Sequence, residues 1–250
     1  MSLFSIADLH LSLSTDKPMD KFGPRWKSHA EKIEKNWRAI VSPSDTVIIP
    51  GDISWGMSLE ESRADLAFID SLPGKKLIGK GNHDYWWSTM TKMKAFTAAE
   101  GFSTIEFLYN NAFVCEDYIV CGTRGWYVEE RLQNERDNAD YAKIVAREAA
   151  RLRLSLNEAV SLQGEDPKPI LVYLHFPPVF RSFVCRELVD VMHEFSVRNC
   201  YFGHIHGMYN APKEFTFEGI PMRLVSSDAM DFTLCRLPAA DIKTDGTELC

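Results

Sequence analysis

The stretch "LIGKGNHDYWW", residues 77–87, carries the reading of this chain. It starts with the apolar character of a strand and runs into Gly79 and Gly81. Asn82, His83 and Asp84 follow side by side, and then three aromatics, Tyr85, Trp86 and Trp87. A strand that ends on an amide, an imidazole and a carboxylate offers ligand-binding chemistry at its carboxyl end. That is where open α/β sheets bind their ligands.

The same kind of ending recurs along the chain. "LFSIAD" runs into Asp8-Leu9-His10, "TVIIPGD" into Gly51-Asp52, "PILVYLH" into His175, and "CYFGHIH" into Gly203-His204-Ile205-His206. Five of the 7 histidines therefore fall on predicted strand ends. In an extended segment residues i and i+2 point to one side, so Asp8 and His10 are expected to reach one ion, as are His204 and His206. Glycines at 51, 81 and 203 allow close backbone approach and sharp turns. Oxygen and imidazole donors without thiolates suit manganese, iron or zinc better than a dedicated calcium or magnesium cage. Each motif alone is weak; the ordered set points to a metal centre.

Between these ends the chain alternates strand and helix over its first hundred residues, which predicts a mostly parallel sheet covered by helices. Residues 25–41 place Trp26, Ala30, Ile33, Trp37 and Ile40 at helical spacing, with Pro43 as the stop. Ser58 and Glu61 form a capping box for a helix over 58–72, and a further helix is expected from about 88 to 99. "TIEFL", "AFVCED" and "YIVCGTRGW" read as three short strands of an antiparallel stretch. Residues 138–162 read as one long helix with Tyr141, Val145, Ala149, Leu152, Leu156 and Ala159 on one stripe. A short helix is expected around 187–195, and "EFTFEGIPMRLVSS" as a hairpin. "LPAADIKTDGTELC" reads as an edge strand or a loose end. With no repeat and no linker, residues 1–250 are read as one domain.

Composition narrows the class. With 250 residues and 45% hydrophobic residues the chain can bury a sizeable core. A net charge of −7 argues against long nucleic acid gripped by phosphate neutralisation. Nothing reads as a membrane span or a signal peptide, and the 6 cysteines lack C-x-x-C spacing, so buried, reduced thiols in a cytoplasmic protein are expected.

Taken together, the motifs from residue 4 to residue 206 resemble the calcineurin-like metallophosphoesterase family. The resemblance implies a four-layer α/β/β/α sandwich of two mixed β-sheets flanked by helices, with two divalent metal ions at the strand ends. It implies that Asp8, His10 and His206 hold one ion, that Asn82, His175 and His204 hold the other, and that Asp52 bridges them. It also implies that His83 works on the substrate, as a proton donor suited to pH near 7, and that Asp84 steadies it. The implied activity is hydrolysis of phosphate mono- or diesters by a bridging hydroxide, on a phosphorylated small-molecule or nucleotide-like substrate. A nuclease or nucleotide phosphodiesterase of the same family is the nearest alternative. A non-catalytic protein-binding scaffold is the alternative of another class, and the presence of His83 with every expected ligand counts against it.

Arg124 follows a predicted strand and is a candidate phosphate clamp; Arg181 is a weaker one. Trp55, Tyr85, Trp86, Trp87, Trp126 and Tyr127 lie near the motifs, and Trp86 and Trp126 are candidates for a substrate wall. His29 and His193, on helices away from the motifs, are expected to be structural or exposed. Asp228 and Asp231 receive no role.

Overall fold

The computed structural model describes residues 1–128 and 139–237. The first part of the chain lays down β1 (Leu3–Ser5), α1 (His29–Ile40), β2 (Thr46–Ile49), α2 (Arg63–Ser71), β3 (Lys75–Ile78), α3 (Met90–Glu100) and β4 (Ile105–Phe107). β1 to β4 pair in parallel, the arrangement that helical crossovers produce. The chain then changes sheets. β5 (Asn111–Cys115) and β6 (Tyr118–Thr123) form an antiparallel hairpin, and α4 (Ala139–Ser161) leads to β7 (Ile170–Leu174). A small hairpin of β8 (Val179–Phe180) and β9 (Phe183–Val184) precedes α5 (Arg186–Glu194) and β10 (Asn199–Phe202). β11 (Glu214–Phe217), β12 (Ile220–Leu224) and β13 (Cys235–Arg236) complete the described elements.

Two large mixed sheets result. One has the order β13-β1-β2-β3-β4 and the other β11-β12-β10-β7-β6-β5. Alternation along each strand sorts side chains into three apolar layers. Phe4, Val47, Ile49 and Ile78 face the α1–α3 side with Ile33, Trp37, Leu66 and Met93. Ile119, Cys121, Val172, Leu174, Cys200 and Met222 face α4 and α5 with Val145, Leu152, Leu188 and Met192. The opposite faces, carrying Leu3, Ile48, Leu77, Val120, Leu171, Tyr173 and Tyr201, meet between the sheets. The layers are therefore helix, sheet, sheet, helix, as expected. The stripe of α4 behaves as its spacing predicts: Val145, Leu152, Leu156 and Ala159 are buried and Tyr141 and Ala149 are half-buried. The five described cysteines are all buried, and no disulfide occurs among the described residues. None of the described helices is long and apolar enough to cross a membrane.

Three expectations need correction. "TIEFL" does not join the antiparallel stretch; β4 pairs in parallel with β3, because the chain crosses to the second sheet only after Phe107. The helix expected from residue 25 starts at His29, since Ser28 takes a left-handed φ of 52° and separates it from a 3₁₀ turn over Pro24–Trp26. Ser58 caps a turn that precedes α2, with Glu61 N–H donating to its hydroxyl at 3.2 Å, so the regular helix begins five residues later than expected. Residue 138 and most of the C-terminal stretch lie outside the described residues, while "CR" at 235–236 pairs as an edge strand with β1.

One buried polar side chain ties α4 to the hairpin. Ser155 Oγ accepts from Gly122 N–H at 2.8 Å and donates to the Asn111 carbonyl at 2.5 Å. Ser155→Ala orphans both backbone groups and is expected to cost roughly 1–3 kcal/mol. The check is the midpoint of urea unfolding, which should fall without a change in slope.

Candidate metal centre

The sequence-predicted ligands all lie just past strand ends: Asp8 and His10 after β1, Asp52 after β2, Asn82 after β3, His175 after β7, His204 and His206 after β10. Backbone bonds lace these ends together. Asp8 N–H donates to the Gly51 carbonyl, His10 N–H to that of Asp52, and Gly203 N–H to that of His175, each at 3.0 Å. Gly51, at φ +99°, packs its backbone on Gly81, and a Cβ on Gly81 would occupy the place of the Asp52 carboxylate. Neither position accepts a side chain.

The local conformation differs from the extended one expected. Asp8, His10, Asp52 and His204 have φ of 57°, 45°, 53° and 72°, in the left-handed region that side chains other than glycine rarely adopt. The i, i+2 argument therefore fails for its stated reason, since β1 and β10 end at Ser5 and Phe202, before Asp8 and His204 are reached. Asp8 and His10 still converge, but His204 and His206 go to different partners.

Ligand atoms of Asp8, His10 and His206 lie within 4.8 Å of one another, and so do those of Asp8, Asp52 and His175. His10 Nε2 is 3.2 Å from His206 Nε2. Asp52 spans the two groups: its Oδ2 is 3.6 Å from His10 Nε2, and its Oδ1 is 3.6 Å from His175 Nε2. Asn82 Oδ1 is 2.7 Å from His175 Nε2. The His204 ring packs edge-on against His175 and Phe176, at centroid distances of 5.3 and 4.6 Å, and falls in neither carboxylate–imidazole group. The backbone N–H of His204 donates to both oxygens of Asp8, at 3.1 and 3.0 Å.

Burial sets the electrostatics. It pushes the Asp8 carboxyl up to about 6 and the Asp52 carboxyl well above its ordinary value, with the Asp84 and Asp8 charges adding to the latter. It also drives His10 and His175 well below the usual imidazole range and His204 down to about 3, and the neighbouring imidazoles add to each. His83 is lowered by burial, then by His206 and Lys17. His206 is the exception: burial alone would lower it, but its bond to Asp228 and the Asp8 charge hold it above the ordinary value. The donor set fits divalent cations. Asp52 Oδ2 is buried with no hydrogen-bond partner among the described residues. The Nδ1 of His175 and of His206 face Pro50 O and Asp228 Oδ1, at 3.2 and 2.9 Å, so a proton on each Nδ1 leaves the Nε2 lone pair for the centre.

Asp84 does not do what was expected of it. Its oxygens accept from Gly81, Asp52 and Ile53 N–H at 2.7–2.8 Å, and from the Trp86 indole N–H at 3.0 Å. It clamps the loop after β2 to the loop after β3, while His83 Nδ1 is buried with no partner among the described residues. Trp86, spent on that bond and 2% exposed, belongs to the core and not to a substrate wall. Trp55 does wall the site, stacked on His10 at 5.1 Å and 4.5 Å from His83, and Trp26 lies edge-on to His10 and His206 at 5.8 and 5.6 Å. Tyr85 is exposed at 6.2 Å from His83, and Trp87 packs on Phe107 and Tyr109. Tyr127 lies edge-on to His204, and Trp126 to Phe176. The Arg124 guanidinium lies over the Trp126 and Phe176 rings, and the exposed Arg181 over Phe180. His193 is exposed beside Glu218, and Asp231 pairs with Arg25.

Two residues set aside in the sequence belong here. Asp228, fully buried, accepts from His206 Nδ1 and from Gly207 N–H, both at 2.9 Å. His29 is not remote: its Nε2 is 3.2 Å from the His10 carbonyl. No spacing signals either one, because Asp228 arrives from a loop more than twenty residues after its partner and His29 from the opposite end of a long excursion.

Residues 1–208 match the family model of the calcineurin-like phosphoesterases. A stretch of 78 residues is 33% identical to the Gene 66 protein of Mycobacterium phage L5, covering 31% of this chain and only 37% of that protein's length. Among solved structures, phosphopantetheinyl hydrolase from Mycobacterium tuberculosis aligns with a TM-score of 0.54 at 15% identity, over 90% of this chain and 88% of that one. TT1561 of Thermus thermophilus aligns with a TM-score of 0.55 at 10% identity, over 95% and 98%. At these identities the two structures speak to fold.

If Asp228 fixes the His206 ring, Asp228→Ala should weaken Mn²⁺ binding by about 10- to 100-fold. Titration calorimetry on the variant checks this, and Asp228→Glu should recover part of the loss.

Proposed function

We propose, on the premise that this chain belongs to the calcineurin-like phosphoesterase family, that it hydrolyses phosphate mono- or diesters at a dinuclear metal centre. One observation carries the proposal: the two oxygens of the buried Asp52 carboxylate address different imidazoles, His10 on one side and His175 on the other. A carboxylate so disposed suits a bridge between two cations, which would otherwise repel one another strongly.

In this reading Asp8, His10 and His206 hold one ion; Asn82, His175 and His204 hold the second; Asp52 serves both. Bound divalent ions supply a water-derived nucleophile near neutral pH and offset charge on the phosphoryl oxygens. The protein's own part is to keep His10, His175 and His204 neutral by burial and to present the Nε2 atoms of His175 and His206 through the bonds made at Nδ1. His83 is the proton donor to the leaving oxygen. Its backbone N–H holds Asp52 Oδ1 at 2.8 Å, and its ring lies 5.6 Å from that of His10 under the Trp55 indole. Asp84 acts at one remove, by fixing the loop that carries Asn82 and His83. Trp55 limits water on that side. The substrate class is a phosphorylated small molecule or a nucleotide-like ester, in keeping with a net charge of −7 that does not favour long nucleic acid.

Protein loaded with Mn²⁺ is expected to hydrolyse bis(p-nitrophenyl) phosphate or p-nitrophenyl phosphate; turnover of neither would favour a scaffold. His83→Ala should keep its metal and lose roughly 10²–10⁴ in rate. Metal lost from that variant would remove His83 from the role of acid. Asp52→Asn should lose both ions by elemental analysis, and two ions retained per chain would exclude the bridge.

A further inference from the structure

Beyond the metal centre, the wall next to His175 carries cations and donors that the hydrolytic reading leaves idle. Arg124 Nε and Trp126 Nε1 are both buried and have no hydrogen-bond partner among the described residues. They are neighbours: the Arg124 guanidinium carbon lies 5.6 Å from the centre of the Trp126 ring. Lys80 comes from the other sheet, just past β3, and lines one small cleft together with Thr123 and His175. Neither cation makes an ion pair among the described residues.

The carboxylates near enough to matter are already committed. Asp84 spends its oxygens on backbone N–H groups and the Trp86 indole. Glu148 is fully buried and paired with Arg151 at 2.5 Å. A half-buried guanidinium without a counter-charge, and a buried N–H without an acceptor, are both costly unless an anion reaches them.

The place of this cluster matters as much as its charge. Phe176 is the common neighbour: the Arg124 guanidinium sits 5.7 Å from its ring, which in turn lies 5.0 Å from His175 and 4.6 Å from His204. The Arg124 guanidinium thus stands one ring removed from the imidazoles, beside the metal centre and not on it, and Lys80 flanks His175 from the other sheet. The separation suits a group adjacent to the scissile ester on the same substrate. A planar guanidinium, an ammonium and an indole N–H match the several acceptor oxygens of a phosphoryl group.

We propose that Lys80, Arg124 and Trp126 form a subsite for a second phosphoryl group on the substrate, next to the one hydrolysed. The proposal rests on the phosphoesterase reading above and narrows it to substrates carrying two phosphoryl groups.

The test measures binding and turnover separately on Mn²⁺-loaded protein. By calorimetry, adenosine 3′,5′-bisphosphate should bind at least tenfold more tightly than adenosine 5′-monophosphate. Arg124→Gln and Lys80→Gln, each checked for unchanged metal content, should each lose most of that preference. Equal affinity for the two nucleotides in the wild type, or a preference that survives both substitutions, overturns the subsite. An equal loss of affinity for both nucleotides would place the cations on the hydrolysed group itself and also overturn it. Turnover of bis(p-nitrophenyl) phosphate, which has no second phosphoryl group, is read in the same preparation. Turnover without a nucleotide preference sinks the subsite and spares the hydrolase; a preference without turnover does the reverse.

Discussion

The Asp84 carboxylate is the interaction on which the geometry of the site depends. It gathers backbone N–H groups from the loop after β2 and the loop after β3, together with the indole of Trp86. Those loops carry Asp52 on one side and Asn82 and His83 on the other. Their backbones touch at Gly51 and Gly81, where no Cβ fits. A buried carboxylate surrounded by N–H donors is costly to disturb, because each donor would be left without an acceptor away from water. Asp84 therefore shapes the centre without being aimed at it.

Four left-handed residues reveal what that shaping resists. Asp8, His10, Asp52 and His204 are held in a conformation that costs of order 1–3 kcal/mol each for residues other than glycine. They persist because lateral bonds between the strand ends over-determine them. The bonds of Asp8 and His10 run between neighbouring strand ends of one sheet, and those from His204 N–H to Asp8 join the two sheets where their parallel strands end. The same burial keeps His10, His175 and His204 neutral and makes the Asp8 and Asp52 carboxyls hard to ionise, and a bound cation would offset the carboxylate charge that burial disfavours.

The centre also draws on chain beyond the matched family region. Asp228 lies outside residues 1–208, yet it orients His206. Ser227 Oγ donates to the Asp8 carbonyl at 2.7 Å, and Arg25 Nε to the Asp228 carbonyl at 2.8 Å. The segment after β12 thus closes one side of the site, and the first long loop of the chain, through Arg25 and His29, supports it from below.

Much was legible in the sequence because chemistry at strand ends is local. Apolar runs that stop at Asp8, Asp52, Asn82, His175 and His204 announce both a strand and what it presents, and their order carried the family resemblance. Alternation within strands and the α4 stripe likewise report burial directly, since each is a period of the chain itself. What the sequence could not contain was contact between residues remote in order. That β4 stays with the first sheet, that Asp84 bonds backbone and leaves His83 alone, that Trp86 belongs to the core while Trp55 walls the site, and that Asp228 and His29 stand behind His206 and His10 were all decided by tertiary structure. The physical reason is that hydrogen bonds and ring contacts depend on distance in space, and neighbouring positions in the chain fix that distance only over a few residues.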